Sequence, residues 1–514
     1  MTERTKLLRQ KLFDDDTPRI CPERCVIFTE SMKKSEGKPI ALRRSQAFYD
    51  VLDQMSVYVN AGELIVGNQA QWPKSSPIYP EYSTEWLRRE LVEGKPYFPN
   101  MRPGDRFDVA PEDVDAIMKC VDYWEGKSLY EALRRSLPQE INEAWDANVI
   151  DATWVSGAGL GNEVVDLVVT KGLEDVMDRI RARLAELDPK EPGNIRKIWF
   201  LQAALQGNEA VVNFSNRIAA ECARQAEACQ DAKRKAELVS LTEICRHVPL
   251  HPARTFHEAV QAIYTILLAV HLESNGHAIS LGRFDQYTYP LLKQDLEAGR
   301  ITRDEALEIV EAFFIKCNEL NKLRSWPDTE FFIGYQMFIN IAIGGQTPDH
   351  KDAVNEVSYL CVEACENVRL FTPSVSVKVF DGTDDAFIIR NLEAMEKHQG
   401  GQPAFYNDKA FMRTLRDLGI TDEEDLVNWV PDGCIEASIP GKWDFAAKGP
   451  WLNVEKVLDI AMHDGLDTKT GYRFATPPRP FAACKNMDEV FENYLTQLRY
   501  FMDLLPVCEH INDE

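Results

Sequence analysis

The strongest constraint on this chain is the alternation of long helical periodicity with single short strands between residues 160 and 406. From Leu160 to Leu187, and again from Arg196 to His247, apolar residues recur every three or four positions, as amphipathic helices require. A third run covers Pro252 to Glu273, and a fourth follows Thr302, where Leu307, Val310, Phe314, Cys317 and Leu320 form one face. Between the helices lie β-like pieces. Phe338 to Ile343 ends in Gly344-Gly345, Ser374 to Phe380 alternates Val375, Val377 and Val379 with polar partners, and Ala404-Phe405-Tyr406 follows Gly400-Gly401. Helices separated by single strands predict an α/β architecture with strands enclosed by helices, either a barrel or a doubly wound sheet. Periodicity does not choose between the two.

Residues 1–110 mix short helical patterns with proline and charge, as at Tyr79-Pro80-Glu81 and Pro103-Gly104-Asp105, and are expected to form an irregular N-terminal layer. Residues 111–514 then hold the helical and sheet-forming part. No internal repeat or long flexible linker interrupts it.

Composition narrows the function classes. With 514 residues, 45% of them hydrophobic and 27% charged, the chain can bury a large core without disulfide staples. Lys and Arg total 58 against 82 Asp and Glu, and the resulting net charge of −24 repels phosphate backbones and anionic membrane surfaces. Neither nucleic acid nor a membrane is an expected partner. The N-terminus lacks the apolar core of a secretory signal and no stretch of about 18 apolar residues occurs, so a cytoplasmic protein is expected. Twelve cysteines without framework spacing fit free thiols.

Most metal and nucleotide motifs are missing. The pairs Cys21/Cys25, Cys222/Cys229 and Cys361/Cys365 lack the further ligands that zinc or an iron–sulfur cluster needs, and read as packed or surface thiols. His247 and His251 are separated by Pro249, which disfavours a helical ligand face. No metal is expected, and no phosphate-binding glycine loop implies ATP or NAD.

One segment stands apart: Val430-Pro-Asp-Gly-Cys-Ile-Glu-Ala-Ser-Ile-Pro-Gly-Lys442. In an extended segment the spacing of two between Cys434 and Glu436 would turn both side chains to one face, with Gly433 and the Pro440-Gly441 turn holding the loop tight. By composition alone, Cys434 as buried filler and Glu436 as a solvated charge is the more frequent outcome.

The wider pattern favours chemistry. Gly433-Cys434-Ile435-Glu436, with Gly276-His-Ala-Ile-Ser-Leu-Gly-Arg-Phe-Asp-Gln-Tyr287, Phe332-Ile-Gly-Tyr335 and Gly344-Gly345-Gln346, resembles the glycyl radical enzymes related to pyruvate formate-lyase. The resemblance runs over nearly the whole chain. It implies the family's α/β barrel, here as a truncated form with about half to two thirds of the fold, strands enclosed by many helices, and the cysteine loop at 430–442. It also implies a lyase in which Cys434 carries a thiyl radical and Glu436 accepts a substrate hydroxyl proton. A buried carboxylate within hydrogen-bond reach has the raised pKa and short transfer distance that general-base work needs. His277, Phe332, Tyr335 and Trp443 are the implied substrate-binding residues, His277 matching a histidine that touches substrate hydroxyls in the diol dehydratases.

Departures from the family bear on the substrate. The loop holds one cysteine where pyruvate formate-lyase has two adjacent ones, so formate acetyltransfer is only the alternative. Ser156-Gly-Ala-Gly-Leu-Gly-Asn162 lacks the histidine of the diol dehydratases, and Lys448-Gly449 stands where they carry His-Asp. Trp443, Asp444 and Trp451 also differ, which implies a changed pocket. The expected reaction is cleavage of a C–O, C–N, C–S or C–C bond in a small polar molecule.

The family's Arg-Val-x-Gly radical motif is absent after Tyr500-Phe-Met-Asp-Leu-Leu-Pro506. The resemblance therefore implies that the glycyl radical, installed by a radical S-adenosylmethionine activating enzyme, lies on a missing C-terminal part, with a second polypeptide as one candidate carrier, in an enzyme that is a homodimer when complete. No cofactor bound to this chain itself is expected. A binding-only fragment that keeps the fold without turnover is the reading from another class, and a helical scaffold is the third. Exposed strand edges would make the isolated chain poorly soluble.

Overall fold

The structure, a computed structural model, describes residues 1–14, 17–152, 160–162, 164–332, 334–433, 436–442 and 450–513. They fall into two compact units, one of Met1–Tyr79, Glu90–Cys120 and Ala158–Phe445, the other of Pro80–Arg89, Val121–Gly157 and Ala446–Glu514.

The larger unit is built on a five-stranded parallel sheet: β1 (Leu160–Asn162), β2 (Ala278–Ser280), β3 (Phe338–Gly344), β4 (Ser374–Val379) and β5 (Ala404–Asn407), neighbours in chain order. The helical run expected from Leu160 starts instead at Val165, because Leu160–Asn162 pairs with Ala278–Ser280 as an edge strand. That helix is also broken at Gly172, where φ is +78° and a Cβ would collide with the backbone of Leu250 and His251. The Arg196–His247 run is two helices, Ile195–Ala228 and Ala232–His247, the second capped by the Asp231 carboxylate. The Pro252 and Thr302 runs become Phe256–Ser274 and Arg303–Cys317, with Thr255 and Thr302 as N-caps.

Strand pairing explains the composition of the two sheet faces, since alternate residues point to opposite sides. One face carries Ile279, Ile339, Ile341, Ile343, Val375 and Val377, all buried, and helices Phe284–Glu297 and Glu356–Val368 pack on these strands. Apart from Phe338, the other face is small and polar. In register it holds Ala278 and Ser280, then Phe338, Asn340 and Ala342, then Ser374, Ser376 and Lys378. A hairpin of β6 (Val430–Asp432) and β7 (Glu436–Ser438) lies against β2 and β3.

In the smaller unit, Ile150–Asp151 pairs antiparallel with Trp451–Leu452. Val149, Ile150, Val457, Ile460, Phe474 and Phe501 form its core, the last on helix Met487–Asp513.

Helix Phe256–Ser274 is buried along most of its length and carries His271. Burial, and then the charge of Lys322, push this imidazole down to about 3, well below the 6.5 of a free histidine. Between those values the unfolded chain binds a proton that the folded chain refuses. Stability from this site is therefore complete above pH 6.5 and falls as pH drops toward 3. Urea titrations across this range should show a slope of up to about 1.4 kcal/mol per pH unit from this group. His271→Gln should flatten the acid limb, and an unchanged limb would show that other groups dominate.

Candidate functional site

The site is assembled around the 430–438 hairpin. Rather than one extended run, the segment reverses direction, with Glu436 paired opposite Asp432, Ala437 opposite Pro431 and Ser438 opposite Val430. The reversal begins at Gly433, whose φ of +61° is left-handed and costly for any residue with a Cβ. Cys434 and Ile435 lie outside the described residues, as do Trp443, Asp444, Lys448, Gly449 and the 156–159 part of the upstream glycine stretch. Asp432 and Glu436 are the paired residues on either side of positions 433–435.

Glu436 is half-buried and folds back over the turn. A Cβ added at Gly433 would lie 3.0 Å from Glu436 Oε2 and 3.5 Å from Ala278 Cβ. Residue 433 is thus squeezed between the carboxylate and the sheet, and glycine alone fits that gap comfortably. Asn340, buried in the middle of β3, donates from Nδ2 to the Gly433 carbonyl at 2.8 Å. The turn is tied to the sheet through that bond. Asn340 Oδ1 is buried without a hydrogen-bond partner among the described residues.

His277 directly precedes β2 and is buried. Its ring stands edge-on to Phe332 at 4.4 Å between centroids and 6.3 Å from Phe338, while its carbonyl accepts from the Phe338 amide. His277 and Phe332 are therefore brought together, one residue from the Ala278 methyl that faces Gly433. Tyr335 takes another direction. Its ring packs edge-on against Phe107 at 5.2 Å, and burial, followed by Asp105, raises its phenol above the usual value.

The entry to the hairpin is held by a second set of contacts that the sequence did not single out. Lys378 projects from β4 on the polar face and is fully buried. Its Nζ donates to the carbonyls of Val427 at 2.7 Å and Trp429 at 2.8 Å, and pairs with Asp408 at 3.2 Å. Trp429, also fully buried, donates its indole N–H to Asp408 at 2.6 Å and stacks on Phe411 at 4.1 Å. The available signals were a lysine inside an alternating valine strand and a lone asparagine inside Phe338–Ile343, both of which also suit an exposed strand face.

The other candidate ligands lie in different settings. Cys21, Cys25, Cys222, Cys361 and Cys365 are buried and Cys229 is partly exposed. Burial pushes Cys222 and Cys365 up to about 12, which keeps them protonated and unreactive. His247 bonds the Pro252 carbonyl and His251 bonds Glu174. Among the described residues no group of three or more His, Cys, Asp or Glu side chains could hold a metal ion, and no helix is long and apolar enough to cross a membrane.

Comparison with known proteins identifies the family of the chain. The chain is 30% identical to an isethionate sulfite-lyase of Nitratidesulfovibrio vulgaris, over 97% of its own length and 61% of the relative's. It superposes with a TM-score of 0.93 and 32% identity on the glycerol-bound B12-independent glycerol dehydratase from Clostridium butyricum, covering 100% of this chain and 64% of that one. A glycyl radical enzyme from Archaeoglobus fulgidus gives 0.90 and 29%, covering 99% and 64%. The chain spans about three fifths of the length of the curated relatives it matches. The family model described as pyruvate formate lyase-like matches residues 1–514, and this chain belongs to that family.

Proposed function

We propose that the chain provides the cysteine loop and substrate-facing sheet of a glycyl radical lyase that cleaves a C–O, C–N, C–S or C–C bond in a small polar molecule. The observation carrying this reading is the hairpin, which folds the Glu436 carboxylate back over the turn holding Cys434, against a sheet face of small and polar residues. A glycyl radical on polypeptide outside residues 1–514, installed by a radical S-adenosylmethionine activating enzyme, would supply the unpaired electron.

The chain's own residues then divide the work. The Cys434 sulfur takes a hydrogen atom from a substrate carbon, forming S–H and leaving a carbon radical. Glu436 accepts the proton of the hydroxyl or amino group on that carbon, and the group on the adjacent carbon departs with its bonding electron pair. The S–H then returns its hydrogen atom to the product radical. His277, buried against Phe332, orients the substrate's polar groups. Trp443 is proposed to line the same space. Packing Tyr335 on Phe107 suits support of the Phe332 segment better than direct contact with substrate.

The test is anaerobic activation of the enzyme assembled with the radical-bearing polypeptide, followed by incubation with glycerol, 1,2-propanediol, isethionate and trans-4-hydroxy-L-proline. Release of an aldehyde, sulfite or a dehydrated imino acid from at least one is expected. A preparation with a full glycyl radical signal that releases no cleavage product from these or other small polar alcohols would contradict the lyase reading.

A further inference from the structure

A lysine wholly enclosed in a parallel sheet is costly unless its ammonium finds acceptors for all three protons. Lys378 finds three: the carbonyls of Val427 and Trp429 and the carboxylate of Asp408. Its Nζ also lies 4.6 Å from the centre of the Trp429 ring. Asp408 is held in turn by the Trp429 indole and by the Gln346 amide at 3.0 Å. Arg283, the neighbouring cation, is occupied by the carbonyls of Gly344, Gln346 and Val427.

The position of the two carbonyls is informative. Val427 and Trp429 immediately precede β6, and Gly433 at its far end is tied to Asn340. The strand leading to the cysteine is thereby fixed at both ends from the polar sheet face, by Lys378 on β4 and Asn340 on β3.

We propose that Lys378 is a positioning residue for Cys434, setting where the strand Val430–Asp432 begins and hence where the turn delivers the sulfur. The proposal rests on Cys434 being the reacting residue of the loop. Burial, then the Arg283 charge, lower the Lys378 ammonium to about 7 against the opposing pull of Asp408. The lysine is therefore kept at a cost that packing alone does not require, since a methionine would fill the same volume.

The test compares native protein with Lys378→Met by hydrogen–deuterium exchange and by the rate at which iodoacetamide alkylates Cys434, read by peptide mass spectrometry. The expected result is exchange in the 427–433 segment faster by about tenfold or more, the scale of losing one charge-assisted hydrogen bond, with a comparable change in Cys434 alkylation. Exchange in β2, β3 and β4 should stay within about twofold of native. Unchanged exchange in 427–433 would overturn the proposal. So would an equal rise throughout β3 and β4, which would make Lys378 only a structural residue. If Lys378→Met does not fold, Asp408→Asn decides: it keeps the lysine but removes its counter-charge, so 427–433 and Cys434 should loosen in the same direction, and no change would overturn the proposal. Neither readout needs the radical, so its failure is distinguishable from failure of the lyase reaction, which substrate turnover alone reports.

Discussion

In the activated enzyme, Cys434→Ala is expected to abolish turnover, while Glu436→Gln should lower kcat by about 10²–10⁴-fold with KM little changed. The two variants separate the two roles. Alanine has no sulfur to exchange a hydrogen atom, so no residual rate is expected. Glutamine keeps the length and hydrogen-bonding reach of Glu436 at the turn but cannot take up a proton, so it removes a contribution specific to the transition state. Steady-state kinetics under anaerobic conditions would check both, with the glycyl radical content measured beforehand. Turnover by Cys434→Ala, or an unimpaired Glu436→Gln, would contradict the assignment.

The second large effect concerns stability. Trp429→Ala is expected to lower the unfolding free energy by about 3–5 kcal/mol, the range for deleting a wholly buried tryptophan. The loss comes from several sources at once. The stack on Phe411 at 4.1 Å disappears, and the small core of Tyr406, Met412, Leu415, Leu426 and Ile439 is left with a cavity. Asp408 Oδ1 loses its indole donor beside Lys378, which leaves a buried charge less well satisfied. Denaturant midpoints with a constant m-value would measure the change. A loss below about 1 kcal/mol would mean that Phe411 and its neighbours collapse into the space. Trp429→Phe should be milder, since it keeps an aromatic ring for the stack and leaves a smaller cavity, although the N–H donor is lost.

Much of the fold was legible because it is written locally. Thr255 and Thr302 precede long apolar-periodic runs, and both runs are helices within a few residues of the expected bounds. Phe338–Gly344, Ser374–Val379 and Ala404–Asn407 are strands where apolar alternation or paired glycines indicated them. The two strands of the five-stranded sheet that were missed, Leu160–Asn162 and Ala278–Ser280, have three residues each, too few to show a period of two. They are strands only because a neighbour lies within hydrogen-bonding distance, which a linear pattern does not carry.

The same division runs through the candidate site. Gly433, Cys434 and Glu436 could be singled out because they lie side by side in one short segment of the chain. Asn340, Lys378, Asp408 and Trp429 were not, since each has an unremarkable local setting and acts through partners 21 to 93 residues away. By itself, the sequence determined the helical periodicity and the main strands, and it put Cys434 and Glu436 two residues apart in one short segment. Tertiary structure alone decided that Val430–Asp432 and Glu436–Ser438 pair antiparallel, and that a buried lysine and asparagine hold the two ends of the first of these strands. The physical reason is range: periodicity and backbone preference act over a few residues, whereas saturating a buried ammonium or a turn carbonyl depends on groups that only the folded sheet brings together.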